Sequence, residues 1–187
     1  GSGWFGNKQG FQLGFKTFSP FKLNGISFQT EFNYVRPFMY THGSPTQNYA
    51  HWNQPLAHPL GSNFYESVNI IDYRHKMFHI QEQFNYAFTG SDTSGFSYGN
   101  NIFRPESERP LDEEGDKVDY GYYVGKESPE HLFYNKVRVG YIVDPNSGLR
   151  VELGHLYRMR KGEGFRDASN MFFIGISTTL FQQYNDF

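Results

Sequence analysis

Hydrophobic and polar residues alternate with a period of two along most of the chain. In the segment 26–34, Phe28 and Phe32 lie on one face of an extended backbone, while Gln29 and Glu31 lie on the other. Successive side chains of a β-strand point to opposite faces, so this alternation is typical of strands. It recurs in the segments 11–17, 26–34, 67–74, 78–88, 137–143, 149–157 and 172–180. The pattern predicts an all-β, antiparallel fold with about seven strands.

The connections between these segments alternate in length. The predicted short turns are 19–25, 75–76 and 144–148, and the predicted long loops are about 37–66, 90–130 and 160–170. All the long loops therefore fall at one end of the sheet. Outer-membrane barrels have this asymmetry, with tight periplasmic turns and long extracellular loops.

The short turns also predict which residues face one another across two hairpins. A turn at 75–76 and a turn at 144–148 give the pairs Tyr73–Phe78, Ile71–Ile80, Asp72–His79, Asn69–Glu82, Val143–Leu149, Tyr141–Val151 and Val139–Leu153. Each hairpin then has one apolar face and one charged face. Glu82 is the exception, because it falls among apolar residues; pairing with Asn69 or a local bulge is expected to accommodate it.

Alternation alone does not decide which face meets water, because a soluble barrel and a membrane barrel share it. The chain contains 20 Phe, 14 Tyr and 2 Trp, enough to supply the aromatic girdles of a membrane barrel. Together with the loop asymmetry, this composition predicts a transmembrane β-barrel in the bacterial outer membrane, with lipid against the apolar face. A soluble all-β domain is the alternative.

The number of predicted strands is odd, whereas single-chain bacterial barrels have an even number. Residues 1–187 are therefore expected to be the C-terminal part of a larger barrel, with its earlier strands missing or on another chain. The alternative is a complete eight-stranded barrel in which residues 3–8 form a further strand.

Charged residues on the polar faces are predicted to line the lumen. They are Asp72, Arg74, Arg138, Arg150, Glu152 and Arg158. Asp72 and His79 are interpreted as a structural ion pair across a hairpin rather than an acid–base pair. The arginines also support an alternative function, a porin-like passive diffusion channel with a mild preference for anions.

Several functional classes find little support in the sequence. The formal net charge of −2 argues against a nucleic-acid partner, and the absence of Cys excludes thiol chemistry and disulfides. No Gly-x-Ser-x-Gly motif and no phosphate-cradling glycine loop occurs. The sequence therefore predicts a non-enzymatic protein without a cofactor; an enzyme at the barrel mouth is the disfavoured third possibility.

The loop 37–66 is the richest candidate for binding. Its aromatic, amide and imidazole side chains are Tyr49, His51, Trp52, Asn53, Gln54 and His58, with prolines at 45, 55 and 59. Aromatic faces stack on sugar rings and amides reach hydroxyl groups, so these residues predict a glycan platform. The alternative is that the loop folds inward and braces the lumen, with Leu56 and Leu60 as a small core.

Two groups of residues are candidates for a metal site, one of histidines and one of carboxylates, and the sequence pattern favours neither. The spacing of His42, His51 and His58 matches no metal motif. The acidic loop 106–119 offers the calcium candidates Asp112, Glu114, Asp116 and Asp119. A run of charges is more often a solvated surface, so no metal is predicted.

Three stretches resemble a known family. They are residues 29–42, residues 48–64 with the run Gln-Pro-Leu-Ala-His-Pro-Leu-Gly, and the terminal segment 179–187. Together they resemble the C-terminal region of Wzi-type capsule-assembly outer-membrane proteins, in the gliding-motility-associated branch. The resemblance implies a large barrel that engages surface polysaccharide at its extracellular mouth and is not known as an enzyme. The expected function is to attach or organise surface polysaccharide, or to act as a scaffold in a cell-surface complex. Outer-membrane lipid, surface polysaccharide and other cell-surface proteins are the expected partners.

Overall fold

The computed structural model describes residues 3–52 and 54–178. Its strands are β1 (Gly10–Phe18), β2 (Ile26–Val35), β3 (Ala50–His51), β4 (Gln54–Pro55), β5 (Phe64–His75), β6 (Phe78–Ser91), β7 (Ser128–Asp144), β8 (Leu149–Gly162) and β9 (Phe165–Ser177). Single turns of 3-10 helix occupy Pro20–Lys22, Pro45–Gln47 and Glu106–Glu108. Across this described part, no helix has both the length and the apolar character needed to cross a bilayer. The all-β prediction is confirmed.

Seven of the strands form one antiparallel sheet in the order β1-β2-β5-β6-β7-β8-β9, and β3 and β4 form a separate small hairpin. Within residues 3–52 and 54–178, β1 and β9 each have a partner on one side only, so the sheet is not closed into a barrel. The predicted seventh strand extended to residue 180, and its last two positions lie outside the described residues.

Residues 3–8 do not form an eighth strand, and the alternative of a complete eight-stranded barrel is wrong in this respect. Backbone hydrogen bonds tie the segment to a loop instead, because Phe5 N donates to Asp119 O at 2.9 Å and Tyr122 N donates to Gly3 O at 2.9 Å. The segment therefore packs beside the loop rather than along the edge of the sheet.

Two long loops occur where they were predicted, at 36–63 and 92–127, but the third does not. β8 and β9 continue past the predicted limits and meet in a tight turn at Glu163 and Gly164. Gly164 has a φ of 76°, a conformation that glycine adopts without steric cost. Residues 166–170 carry polar side chains on both faces, so the hydrophobic pattern does not reveal this part of the strand.

The register of the first predicted hairpin is shifted by two positions. The turn lies at Lys76 and Met77, with Lys76 at a φ of 52°. The resulting pairs are Tyr73–Ile80, Ile71–Glu82, Asp72–Gln81, Arg74–His79 and Asn69–Phe84. Glu82 therefore does not face Asn69, and the β5–β6 pairing runs through this region without a bulge.

The second hairpin matches its predicted register except beside the turn. Tyr141 pairs with Val151 and Val139 with Leu153, as predicted. An irregularity between Ile142 and Asp144 leaves Val143 unpaired with Leu149, which faces Asp144 instead. The cause is a β-bulge, which adds one residue to one strand of a pair.

The two faces of the sheet have opposite polarity and opposite exposure. On the apolar face, Leu13, Phe172 and Ile174 are 72%, 80% and 75% exposed. On the polar face, His79, Glu130 and Glu152 are buried. This arrangement is the reverse of an ordinary water-soluble sheet, in which apolar side chains are covered and charged ones are wet.

The buried apolar side chains gather instead at the loop end. Phe38, Phe64, Ile102 and Tyr122 are all 2% exposed or less, and they come from β5 and from the two long loops. Phe38 and Tyr122 meet edge to face, with ring centroids 5.0 Å apart. The long loops thus form a packed cap at one end of the sheet.

Candidate functional site

The β3–β4 hairpin carries most of the predicted glycan-binding residues. Tyr49, His51, Trp52 and Gln54 are all exposed, and the Trp52 side chain reaches 86% exposure. Asn53, the fifth candidate, lies outside the described residues. Trp52 has a φ of 49° at the tip, and its ring stands edge-on to His51 with centroids 5.8 Å apart. A left-handed conformation at a tryptophan is uncommon.

The base of this hairpin is held firmly. The buried side chain of Asn48 accepts a hydrogen bond from His42 N at 2.6 Å and donates to Ile102 O at 2.6 Å. The Tyr40 and Tyr49 rings stack with centroids 5.9 Å apart. Burial, and secondarily the neighbouring Tyr49, raises the pKa of Tyr40 above its ordinary value. The exposed tip therefore stands on an ordered support, which lowers the entropic cost of binding.

His58 is separated from the other candidates. Its ring is half-buried, lies 4.5 Å from the Phe64 ring between centroids, and places Nε2 3.0 Å from Glu66 Oε2. Asn33 Nδ2 donates to the same Glu66 oxygen at 3.2 Å. His58 therefore lies against the polar face of the sheet. It does not form part of the exposed tip of the β3–β4 hairpin.

Buried polar side chains hold the first long loop to the sheet and to the second long loop. Leu56 is 53% exposed, so its predicted place in a small core is wrong. Buried Asn63 donates to Gly90 O at 2.9 Å and accepts from Gly125 N at 3.0 Å. Asn100 Nδ2 donates to Ser62 O at 2.8 Å across the two loops.

The second long loop is organised by residues that sequence reasoning missed. Asp92 accepts hydrogen bonds from the backbone of Tyr98 at 2.7 Å, Asn100 at 3.2 Å and Asn101 at 3.1 Å. The buried Arg109 guanidinium lies 3.4 Å from the centroid of the Phe5 ring. No local pattern marks these residues, because their partners are fixed only by the folded loop.

The acidic loop does not assemble the four calcium candidates. Asp112 Oδ1 accepts hydrogen bonds from the backbone of Glu114 and Asp116, at 3.2 and 2.8 Å. Asp119 Oδ1 lies 2.8 Å from Arg109 Nη2, with which it forms an ion pair. Among the residues that the structure describes, no group of three or more His, Asp or Glu side chains is placed to hold a metal ion.

The six predicted lumen charges all lie on the polar face. Asp72 accepts from Gln81 Nε2 at 2.7 Å and lies 2.5 Å from His79 Nε2, diagonally across the hairpin. Arg138 donates to Gln81 and extends this network. Arg74 is directly opposite His79 in the sheet. Asp72 and His79 are joined within a larger network, which fits a structural role.

The remaining charges that were predicted to line a lumen lie on β8. Arg150 Nε is 2.6 Å from Glu152 Oε1, but its hydrogen is directed to Ser177 Oγ at 2.7 Å. Arg158 lies with its guanidinium 5.6 Å from the centroid of the Tyr134 ring. Glu130 falls in the predicted loop 90–130, and its contacts were not identified from the sequence. The Glu130 carboxylate accepts hydrogen bonds from Arg160 Nη2 at 2.8 Å and from Ser91 Oγ at 2.5 Å.

A groove of about 620 Å³ runs along the polar face beneath the first loop. Its lining includes Leu60 of the loop and Glu66, Asn85, Tyr134 and Arg158 of the sheet. The groove offers hydroxyl, amide and charged groups over an apolar floor. No family model, curated protein or solved structure matches the chain, so the site is interpreted from its own geometry.

Proposed function

We propose that the protein forms part of the wall of a bacterial outer-membrane β-barrel and holds surface polysaccharide at its loop end, without catalysing a reaction. The single observation that carries this proposal is the inverted polarity of the sheet. Large apolar side chains are exposed across one face, while Glu66, His79, Glu130 and Glu152 on the other face are buried. Soluble proteins rarely expose a contiguous apolar patch larger than a few hundred Å².

An aromatic band near the loops supports the same environment. On the apolar face, which the proposal directs outward to lipid and which we call the outward face, the Phe11 and Tyr34 rings stack with centroids 5.2 Å apart. The Tyr65 and Phe88 ring centroids are also 5.2 Å apart. Neighbouring rings continue this band over Phe32, Tyr86 and Phe133. Rings of this kind collect at the boundary between lipid and water, where they form the girdles of outer-membrane barrels.

The height of the apolar face suits a bilayer. On β6 the face extends from Phe88 in the aromatic band to Phe78, which pairs with Tyr141 near the turn end. These ten steps span about 33 Å along the strand. A strand tilt of about 40° reduces that length to a height of about 25 Å, which is the apolar band of an outer-membrane barrel.

Solubility tests the membrane half of the proposal. The chain is expected to stay with the membrane fraction after high-salt washing and to be released as a single species only by detergent. Recovery as a monodisperse species in detergent-free buffer would refute the bilayer assignment, because the apolar face would then have to be compatible with water.

The polysaccharide half rests on the β3–β4 hairpin and on the resemblance to capsule-assembly proteins. Replacing His51 and Trp52 together by alanine is expected to weaken retention of purified surface glycan by about tenfold or more, since exposed aromatic anchors carry much of such binding energy. Phe21→Ala is the matched control, because Phe21 is 95% exposed at the turn end. Equal retention by the double variant, with membrane insertion unchanged, would leave only a scaffold role.

A passive diffusion channel is the second candidate, favoured by the groove and its cations. Lys136 and Arg158 lie on the polar face, each near an aromatic ring. Planar-bilayer recordings separate the two functions. A lumen covered by the packed loops stays silent, whereas a channel gives discrete conductance steps with a preference for anions.

A further inference from the structure

A row of polar residues crosses the outward, otherwise apolar face of the sheet. Direct strand partners in this row are Phe15, Thr30, Asn69, Phe84, Asn135, Tyr157 and Asn170. The next row toward the turns contains Glu82, Val137, His155 and Phe172 as direct partners. Aromatic and aliphatic rows lie on both sides. The polar groups are therefore inside the apolar face and not at its border.

The polar residues of β6 to β9 form one compact patch, which we call the Glu82 patch. It consists of Glu82, Asn135, His155 and Asn170. Asn135 Nδ2 donates to Glu82 Oε1 at 2.9 Å, and His155 Nε2 lies 3.2 Å from Asn170 Oδ1. Four adjacent strands at about 4.8 Å spacing make the patch roughly 14 Å wide.

The polar residues of this row on β2 and β5 form hydrogen bonds with neighbouring polar side chains, whereas the Glu82 patch retains an exposed carboxylate. Thr30 Oγ1 donates to Asn69 Oδ1 at 2.8 Å, and Asn69 Nδ2 donates to Ser67 Oγ at 3.0 Å. These uncharged groups exchange hydrogen bonds among themselves. In the Glu82 patch, a carboxylate receives a single amide hydrogen bond while its side chain stays exposed. Such a group is costly against hydrocarbon and marks a functional contact when it occurs inside a membrane.

The arrangement of the patch is complementary to itself. Glu82 and His155 are the direct neighbours of Val137 on either side, so an acid and an imidazole flank one apolar residue. A two-fold axis that passes beside Val137 along the membrane normal brings each Glu82 to the same side of the interface as His155 of the second copy, about 6 Å from it in height at a strand tilt of about 40°. Isologous contacts of this kind pair one surface with the same surface of another subunit.

We propose that the Glu82 patch is an intramembrane interface with a second copy of this chain. The inference rests on the proposed function, because it requires the apolar face to meet lipid. Pairing removes the carboxylate from hydrocarbon and gives it a partner, while the flanking aliphatic residues pack against one another. A second copy fits better than a partner of one charge, because the patch carries both an acid and a base.

Disulfide trapping tests the interface directly, since the natural chain contains no cysteine. With an added oxidant in the intact membrane, Val137→Cys is expected to give mostly dimer of the full chain. Phe32→Cys, on the same outward face three strands from β7, is the matched control and is expected to stay monomeric. Altered gel mobility of unheated samples checks that both variants are folded.

A charge exchange in the Val137→Cys background tests the chemistry. Glu82→His alone is expected to reduce the dimer about tenfold, and Glu82→His with His155→Glu is expected to restore it. The second-copy interface is overturned if folded, membrane-bound Val137→Cys stays monomeric, if both cysteine variants cross-link equally, or if the cross-link joins a different protein. Failure of the bilayer assignment is recognised separately, by recovery of the chain without detergent.

Discussion

Tyr122 shows how a single side chain of the loop cap is controlled by its surroundings. The ring is buried against Phe38, and its hydroxyl donates to Val118 O at 2.8 Å. Burial raises the pKa of Tyr122 to about 12, and the nearby Arg109 opposes this rise only in part. The neutral phenol is therefore strongly favoured in the folded cap.

This shift predicts a loss of stability in strong base. An unfolded tyrosine ionises near pH 10, so between about pH 10 and 12 the unfolded chain releases this proton first and the free energy of unfolding falls. The loss from Tyr122 amounts to about 2 kcal/mol at pH 12. Denaturant unfolding in micelles at pH 9 and at pH 12 measures it. Tyr122→Phe should reduce the fall between pH 9 and pH 12 by about 2 kcal/mol, whereas Tyr120→Phe, an exposed control, should leave it unchanged.

Individual contacts were the least predictable part of the site. The sequence placed Trp52 and His51 in a binding loop, and both are exposed at a hairpin tip. It also grouped His58 with them, but that imidazole turns inward to Glu66. Spacing along a loop does not reveal direction, because a loop has no fixed period. Strand residues such as Arg138 and Arg158 were placed on the correct face because the period of two fixes it.

The strands themselves could be predicted where one face was apolar and the other polar. β2 and β6 satisfy that condition. The part of β9 near the β8–β9 turn does not, because Arg166 and Asn170 lie on one face and Asp167 and Ser169 lie on the other. There the backbone pairing of β8 with β9 keeps the strand extended, and that pairing is not visible in a local sequence window. Register depended on the position of the turn, because a two-residue turn placed one residue too early moved every predicted pair of β5 and β6 by two positions.

The β8–β9 turn makes a prediction at the level of the element. Gly164 has a positive φ, and no atom lies within 4 Å of the position that a Cβ would occupy. Gly164→Ala should therefore lower the free energy of unfolding by about 1 kcal/mol through backbone strain alone. Gly175→Ala, on β9 with equally open space and no positive φ, should change it little. Equal effects in denaturant titrations would show that the turn does not have this conformation.

For the whole molecule, the decisive prediction concerns the environment of the outward face. Leu153 is 59% exposed, and an exposed leucine in water tolerates a charge with a change of about 0.5 kcal/mol or less. Facing lipid, Leu153→Arg should cost about 2–4 kcal/mol. Unfolding measured in lipid vesicles gives the difference. Met171→Arg is the control, because Met171 is half-exposed on the polar face; similar small costs at both positions would contradict a lipid-facing surface.

Within residues 3–52 and 54–178, β1 and β9 are each paired on one side only, so the sheet can be extended at either side. At the side of the sheet, every second residue of β1 and of β9 directs its backbone N–H and C=O away from the neighbouring strand. Another antiparallel strand can therefore pair there without breaking an existing hydrogen bond. In the proposed barrel wall, the strands that are added at these two sides therefore set the circumference. The width of the sheet can therefore increase by the addition of strands, whereas the length of its own strands sets its height.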